Sequence, residues 1–422
     1  MATYKGMDYL KNKLNRKRLR VRKRYEYYEM KNIVRDFGIS SPPELRHWMG
    51  TLGWCAKAVD TLADRLLFRE FDNDIYGMNE IFEQNQKDIF VDSAILGSLI
   101  SACDFVYITT DDNGFPLLKV VDGRHATGII DPITNMLKEG YAVLEWDEWD
   151  RPIMEAYLVT GATYIYTNGQ LTNVVMNNAP YPLLVPVINR PDAVRPFGHS
   201  RISRACMSIV NSAVRTVKRS EIASEFYSFP QKYVLGMDAD AERLDKWRAS
   251  MSSMLRIDKD EDGDRPTVGQ FSQQSMSPHT DQLRAFAGLF AGETGLTLDD
   301  LGFPSVNPSS ADAIKASHES LRLTARKAQR DFGVSLKNVG YLAACVRDSR
   351  RYERYEVANT SAKWEPIFEP DASMMTLIGD GVIKVNQAVP GYFDKQSLRD
   401  LTGIEPAEEG AASIETGLEV TL

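Results

Sequence analysis

Asp258, Asp260, Asp262 and Gly263 follow the D-x-D-x-D-G opening of a calcium loop. There, alternate carboxylates converge on one cation and the glycine permits the sharp turn. The pattern then breaks off. The twelfth position is Gly269 where a bidentate glutamate is needed, and Pro266 stands inside the loop. Asp258, Asp260, Glu261, Asp262 and Asp264 therefore read as an exposed negative loop, either simply solvated or docking a partner, with no metal expected. A second cluster, Glu145, Asp147, Glu148 and Asp150, is interleaved with Trp146 and Trp149. Paired carboxylates can hold two metals or act as acid and base, as a nuclease would require. At a strand end near a turn, such charges more often protect a sheet edge.

The remaining chemical motifs fail. There is no G-x-x-x-x-G-K-[ST] and no H-E-x-x-H, and Gly198-His199-Ser200 lacks the second glycine of a nucleophile elbow. His47, His125, His199, His279 and His318 never fall at ligand spacing on one face. Cys55, Cys103, Cys206 and Cys345 lie far apart, which reads as free thiols in a reducing compartment. No catalytic residue, cofactor or metal is expected, and the chain does not read as an enzyme.

Charge gives the sharpest asymmetry. The 422 residues carry 50 Lys and Arg against 58 Asp and Glu, a net charge of -8. Lys11 to Arg24 alone holds nine bases and no acid, which leaves 41 basic against 58 acidic residues, or -17, over the rest. An acidic chain does not grip nucleic acid over its whole surface. The basic run, with Arg16, Lys17, Arg18 and Arg20 at its centre, reads as a solvated helical face, as a contact for a phosphate backbone or an acidic protein, or, on composition alone, as a nuclear-targeting signal. With 43% hydrophobic and 10% aromatic residues the chain can build real cores. No apolar run approaches the roughly 18 residues that cross a membrane, and no signal peptide is visible.

The elements that must position these residues follow from periodicity. Leu10, Leu14, Val21, Tyr25 and Tyr28 recur at helical spacing beneath the basic run; Leu52 to Leu66 and Asp88 to Cys103 give two more apolar stripes. The period then changes to two. Residues 105 to 188 read as a mostly antiparallel β region, with turns at Asp111-Asp112-Asn113-Gly114 and Asn168-Gly169. Pro186 to Ser200 reads as a loop or hinge. A long helix is predicted over Ser200 to Phe229, capped by Ser200 and stopped by Pro230. A small mixed module with two short strands and a helix over Asp240 to Met254 follows, then a helix over Pro278 to Glu293. Ser309 to Asp348 is helical in composition, with Gly333 and Gly340 expected to kink or divide it. Pro406 to Leu422 reads as a mobile acidic tail.

Certain runs are recognisable. Glu293-Thr294-Gly295-Leu296, Leu301-Gly302, Asn307-Pro308-Ser309-Ser310-Ala311-Asp312-Ala313-Ile314 and Arg326-Lys327-Ala328-Gln329-Arg330-Asp331-Phe332-Gly333 resemble portal proteins of tailed bacteriophages. They are most similar to those of long-tailed phages infecting actinobacteria. Pro196-Phe197-Gly198-His199-Ser200-Arg201-Ile202-Ser203 resembles that family's entry into its stem. The element order agrees over residues 45 to 400. One departure stands out: many relatives carry two prolines where this chain has Thr297-Leu298-Asp299-Asp300.

The resemblance implies an α+β portal-type fold with an antiparallel β-rich wing (1–199), a first stem helix (200–230) and a small α/β clip (231–277). A second stem helix (278–296), a tunnel loop (297–308), a wing-crossing helix (309–348), and the remaining wing, crown and tail (349–422) would follow. It implies a ring of, usually, twelve subunits at one capsid vertex, assembled in the host bacterial cytoplasm and carried in the virion. Double-stranded DNA would pass Asp299, Asp300, Phe303, Ser305, Val306 and Asn307. Terminase and a head-tail adaptor would dock on the clip at Asp258, Asp260, Glu261, Asp262 and Asp264. Major capsid and scaffolding proteins would be further partners, and there would be no membrane. Alternatives are another phage head or adaptor protein, or a metal-dependent nuclease. A channel through which DNA slides should not hold phosphate, because each fixed cation adds salt-sensitive affinity. Residues 297–308 contain no basic residue.

Overall fold

The computed structural model describes residues 4–35, 48–149, 151–228, 232–235, 267–270, 275–304, 316–368, 370, 372–404 and 406. It combines helices with antiparallel sheets in two compact units. One comprises residues 1–22, 59–200 and 321–422; the other comprises 23–58 and 201–320.

In the first unit, strands β2 (Cys103–Thr110), β3 (Pro116–Val121) and β9 (Leu184–Ile188) form a sheet in the order β3-β2-β9. A five-stranded meander joins β4 (Ala126–Ile130), β5 (Leu137–Trp146), β6 (Pro152–Val159), β7 (Ala162–Thr167) and β8 (Gln170–Met176) in sequence order. Both turns sit as the sequence predicts. Asp111 Oδ1 accepts the Asn113 and Phe115 N–H groups at 2.9 and 2.7 Å, and Gly114 has φ 83°. Asn168 and Gly169 both have positive φ, the two-residue turn whose twist matches that of the flanking strands. The predicted hinge over Pro186 to Ser200 begins later than expected, because Pro186 belongs to β9. That strand pairs only with β2, so the missing N–H can sit on the free edge.

Beneath the β3-β2-β9 sheet lies α4 (Lys87–Ser101), with Ala94, Ile95 and Leu99 essentially inaccessible. Before it come β1 (Phe68–Asp72) and α3 (Met78–Gln84). Strand β1 pairs antiparallel with β12 (Ser361–Trp364), and Phe68, Phe71, Phe82, Phe90 and Trp364 form a ring cluster with centroids 4.9 to 5.9 Å apart. Helix α7 (Glu319–Arg347) buries Leu321, Ala325, Ala328, Phe332, Leu336 and Val339, spaced three and four apart. It corrects the sequence expectation: neither Gly333 nor Gly340 divides it. Each glycine admits a neighbour instead, Ala362 at Gly333 and Met78 at Gly340.

The end of this unit carries α8 (Ala372–Ala388) and α9 (Lys395–Thr402). Arg69, 7% exposed, donates to Asp400, which also takes the Lys363 ammonium at 2.7 Å. Arg399 completes the set on Glu70 at 2.9 Å. These ion pairs join α9 to the β1–β12 pair.

The second unit is built on α5 (Arg204–Ser228) and α6 (Ser277–Thr294), which pack on each other, with the two-stranded pair β10 (Lys232–Leu235) and β11 (Thr267–Gln270) between them in the chain. Helix α5 starts four residues later than predicted. Ser203 Oγ, not Ser200, accepts the Cys206 N–H at 3.1 Å. Cys206, Val210, Ala213 and Val214 form its buried stripe; Ala287, Phe290 and Ala291 form that of α6. The four cysteines are buried free thiols. The expected helix over Asp240 to Met254 lies outside the described residues.

Candidate functional site

Helix α1 (Met7–Tyr28) carries the basic run, and its first three turns lie on the meander. Leu10 and Leu14 pack on Tyr141 and Val143, with Met7, Ile129 and Tyr157 around them. The bases divide by direction. Lys11 reaches Glu155 at 2.8 Å, and Lys13 Nζ donates to the Gly128 carbonyl at 2.5 Å. Lys17 turns inward: its ammonium sits 4.9 Å from the Phe105 ring centroid and 5.8 Å from that of Phe197. Burial, then the like charge of Lys17, pushes Lys13 down to about 8; burial also lowers Lys17. Arg16 and Arg20 are exposed and Arg18 is half-buried. The four bases that the sequence groups together are thus one inward lysine and three arginines of graded exposure. A long stem buried under a cationic head is the usual behaviour of lysine on an apolar surface.

Under Lys17 lies a polar pocket that sequence reasoning missed. Asp104 is 2% exposed; its Oδ1 accepts from Ser101 Oγ at 2.6 Å and from the Gly123 N–H at 2.9 Å. Burial dominates and pushes its carboxyl up to about 7, against those two bonds. Burial also works against the neighbouring Asp122 carboxylate. His125 Nδ1 at 2.7 Å and Arg124 outweigh it and hold Asp122 at about 2.

The carboxylates around Trp146 form a hairpin turn. Asp147 Oδ1 accepts the Trp149 and Arg151 N–H groups, and Trp146 stacks on His125 at 4.2 Å. Asp150 lies outside the described residues. Among the described residues no three His, Cys, Asp or Glu side chains converge as metal ligands.

The segment after α6 is the second candidate surface. Helix α6 ends at Gly295, whose φ of 71° only glycine adopts without strain, and Arg201 Nη2 donates to the Thr294 carbonyl at 2.5 Å. The same guanidinium holds the Ala58 carbonyl at 3.2 Å. The residues that stand where many relatives carry two prolines lead into a 3₁₀ turn over Asp299–Leu301. Thr297 N and Thr297 Oγ1 both donate to Asp300 Oδ2 at 2.8 Å, and the Asp300 N–H donates back to Thr297 Oγ1 at 3.2 Å. This reciprocal pair ties Thr297 to Asp300. It splits the two predicted acids: Asp300 is engaged in the turn, while Asp299 is exposed and Phe303 half-buried. The Thr-x-x-Asp spacing was the signal that could have revealed it. Ser305, Val306 and Asn307 lie outside the described residues, as do Asp258, Asp260, Glu261, Asp262 and Asp264.

No helix among the described residues is long and apolar enough to cross a membrane. No family model matches the chain. It is similar to the portal protein of Mycobacterium phage L5, 23% identical over 321 residues, covering 70% of this chain and 65% of that protein. It is also similar to the portal protein of Mycobacterium phage D29, 22% identical over 337 residues, covering 74% of this chain and 68% of the relative. The chain thus spans about two thirds of the length of these relatives. Solved structures with similar chains include the virion of a native gene transfer agent particle, with a TM-score of 0.46 and 12% identity over 84% of this chain and 90% of the other. The neck of the native particle, computed with C12 symmetry, gives a TM-score of 0.45 and 14% identity, again over 84% and 90%.

Proposed function

We propose that this chain is a portal subunit, one copy in a ring at a capsid vertex through which double-stranded DNA enters and leaves. The observation that carries the reading is its similarity to two portal proteins over 70% or more of its length. Local physics agrees. Two long packed helices flank a short strand pair, as a stem with a clip at its tip would require. The turn after α6 presents one exposed acid and no base, so nothing in it would pin a phosphate. Helix α8 supports assembly into copies. Its sequence is largely apolar, yet it has no buried residue; Leu377 is 71% exposed and Ile383 57%. A face of that kind calls for a partner.

In this reading Asp299, Phe303, Ser305, Val306 and Asn307 line the channel, and Asp300 shapes the loop that carries them. Asp258, Asp260, Glu261, Asp262 and Asp264 meet the terminase and later the head-tail adaptor. Arg16, Arg18 and Arg20 face the capsid, its scaffold or packaged DNA. The chain has a structural role without chemistry of its own. Electron microscopy of the purified chain, alone and with its scaffolding protein, tests the proposal. Rings with a central hole wide enough for duplex DNA are expected. A chain that stays monomeric in both cases and cleaves DNA when a divalent metal is added would overturn it.

A further inference from the structure

Each sheet in the first unit has open edges, and on three of them a side chain bonds the outward backbone. On β1, Asn79 Oδ1 accepts the Phe71 N–H at 2.7 Å and Nδ2 donates to the Phe71 carbonyl at 2.9 Å. On β3, Asn85 does the same for the Leu118 N–H and the Pro116 carbonyl, at 2.8 and 3.0 Å. On β4, the Gly128 carbonyl takes the Lys13 ammonium.

Strand β8 is different. All seven of its residues are exposed, with Leu171 at 52% and Met176 at 74%. Residues 168–178 contain no charge and no proline, so the usual protections of an edge strand are missing. Among the described residues no side chain bonds its backbone from outside. The Asn177 N–H bonds the Gly161 carbonyl at 3.0 Å, and Tyr164 pairs with Val174. By the alternation of an antiparallel ladder, Val174 and Met176 then direct N–H and C=O away from β7. Their side chains continue a row that runs through Tyr141, Tyr157 and Tyr164, of which α1 covers only the Tyr141 and Tyr157 end.

The sequence contains a segment of matching pattern. Ile414, Thr416, Leu418, Val420 and Leu422 alternate strictly with Glu415, Gly417, Glu419 and Thr421. Period two with one apolar face is a strand pattern, and no other part of the tail from Pro406 shares it. These residues lie outside the described set. We propose that Ile414–Leu422 pairs with the free edge of β8 as a sixth strand. Its apolar face would extend the Tyr164–Val174 row, and its glutamates would meet an edge that has no charge to repel them. Main-chain bonds would give the affinity and the apolar alternation the register. This pairing does not depend on the portal reading.

Two measurements test it. Hydrogen exchange at Val174 and Met176 is compared between the full chain and a chain shortened after Pro406. Pairing predicts amides at least about tenfold slower to exchange in the full chain. A fluorescent peptide of residues 413–422 should bind the shortened chain and restore that protection, whereas the same peptide N-methylated at alternate residues should not. Val174→Pro, which removes an outward N–H and leaves the β7 ladder intact, should abolish peptide binding. Equal exchange in the two chains, together with no binding of the unmodified peptide, would overturn the proposal whether or not the proline variant folds.

Discussion

Gly340 lies where α7 meets α3, and the geometry there sets the sign of a single methyl. A Cβ at Gly340 would lie 2.7 Å from Met78 Sδ, 3.0 Å from Cγ and 3.1 Å from Cβ. Ordinary contact begins at 3.4 Å, so Met78 must retreat by about 0.7 Å. Met78 is fully buried, and the obstruction includes its Cβ, so swinging the thioether aside does not relieve it. Overpacking of this kind costs about 1–3 kcal/mol. Alanine returns up to about 1 kcal/mol of helix propensity. Gly340→Ala should therefore destabilise by up to about 2 kcal/mol, or up to roughly 8 °C for a unit of this size. Gly288, in the middle of α6, has nothing within 4 Å of its notional Cβ, so the same substitution there should stabilise by about 0.5–1 kcal/mol. Urea denaturation followed by circular dichroism would compare the two, with Met78→Ala and Met78→Ala/Gly340→Ala completing a cycle expected to show coupling of about 1 kcal/mol. A Gly340→Ala protein stabilised as much as Gly288→Ala, or a cycle without coupling, would refute the close-packing argument.

Asp104 makes stability depend on pH. Its carboxyl titrates near 4 when unfolded and at about 7 when folded, so the folded state holds the extra proton between those values and stability falls as pH rises through that window. Asp104→Asn keeps an oxygen for Ser101 and Gly123, so urea midpoints at pH 5 and pH 8 should differ less in the variant than in the parent; an unchanged difference would count against the assignment. Asp300→Ala removes the acceptor of two hydrogen bonds at Thr297 and should loosen the turn by about 1–2 kcal/mol, seen as faster amide exchange over residues 297–302 with the global melting temperature little changed. Reversing Arg16 and Arg20 to glutamate should shift stability by less than about 0.5 kcal/mol while lowering incorporation into procapsids, since both are exposed. Lys17→Glu should instead cost about 3 kcal/mol, because it places a carboxylate against Phe105 and Phe197, close to Asp104 and Asp122. Normal incorporation of the Arg16/Arg20 variant would remove the partner role assigned to that face.

Local signals carried much of the architecture. The period-two runs and the Asp111–Gly114 and Asn168–Gly169 turns mark the hairpins because pleat and turn chemistry act within a few residues. The basic run was legible as a helix because apolar residues recur beneath it at helical spacing. The runs that resemble portal proteins carry a resemblance legible in the residues alone, and the chain is similar to two mycobacteriophage portal proteins.

Other features depend on neighbours far apart in sequence, which local patterns do not encode. Strand β12 pairs with β1 across almost 300 residues, so neither strand is specified by its own few amino acids. Gly340 looks like a helix breaker in sequence and becomes a packing site only because Met78 is there to fill it. Arg16 and Lys17 are adjacent and alike in charge, yet one faces water and the other two aromatic rings; the helix phase that separates them is set by how Leu10 and Leu14 seat on the sheet. By itself the sequence determined the basic helix, the hairpins with their turns and the charge balance, because those follow from residues within a turn or two of one another. Tertiary structure alone decided which bases are exposed, which acid shapes the turn after α6 and which sheet edge stays open, because burial and partnership are properties of what folds against a residue.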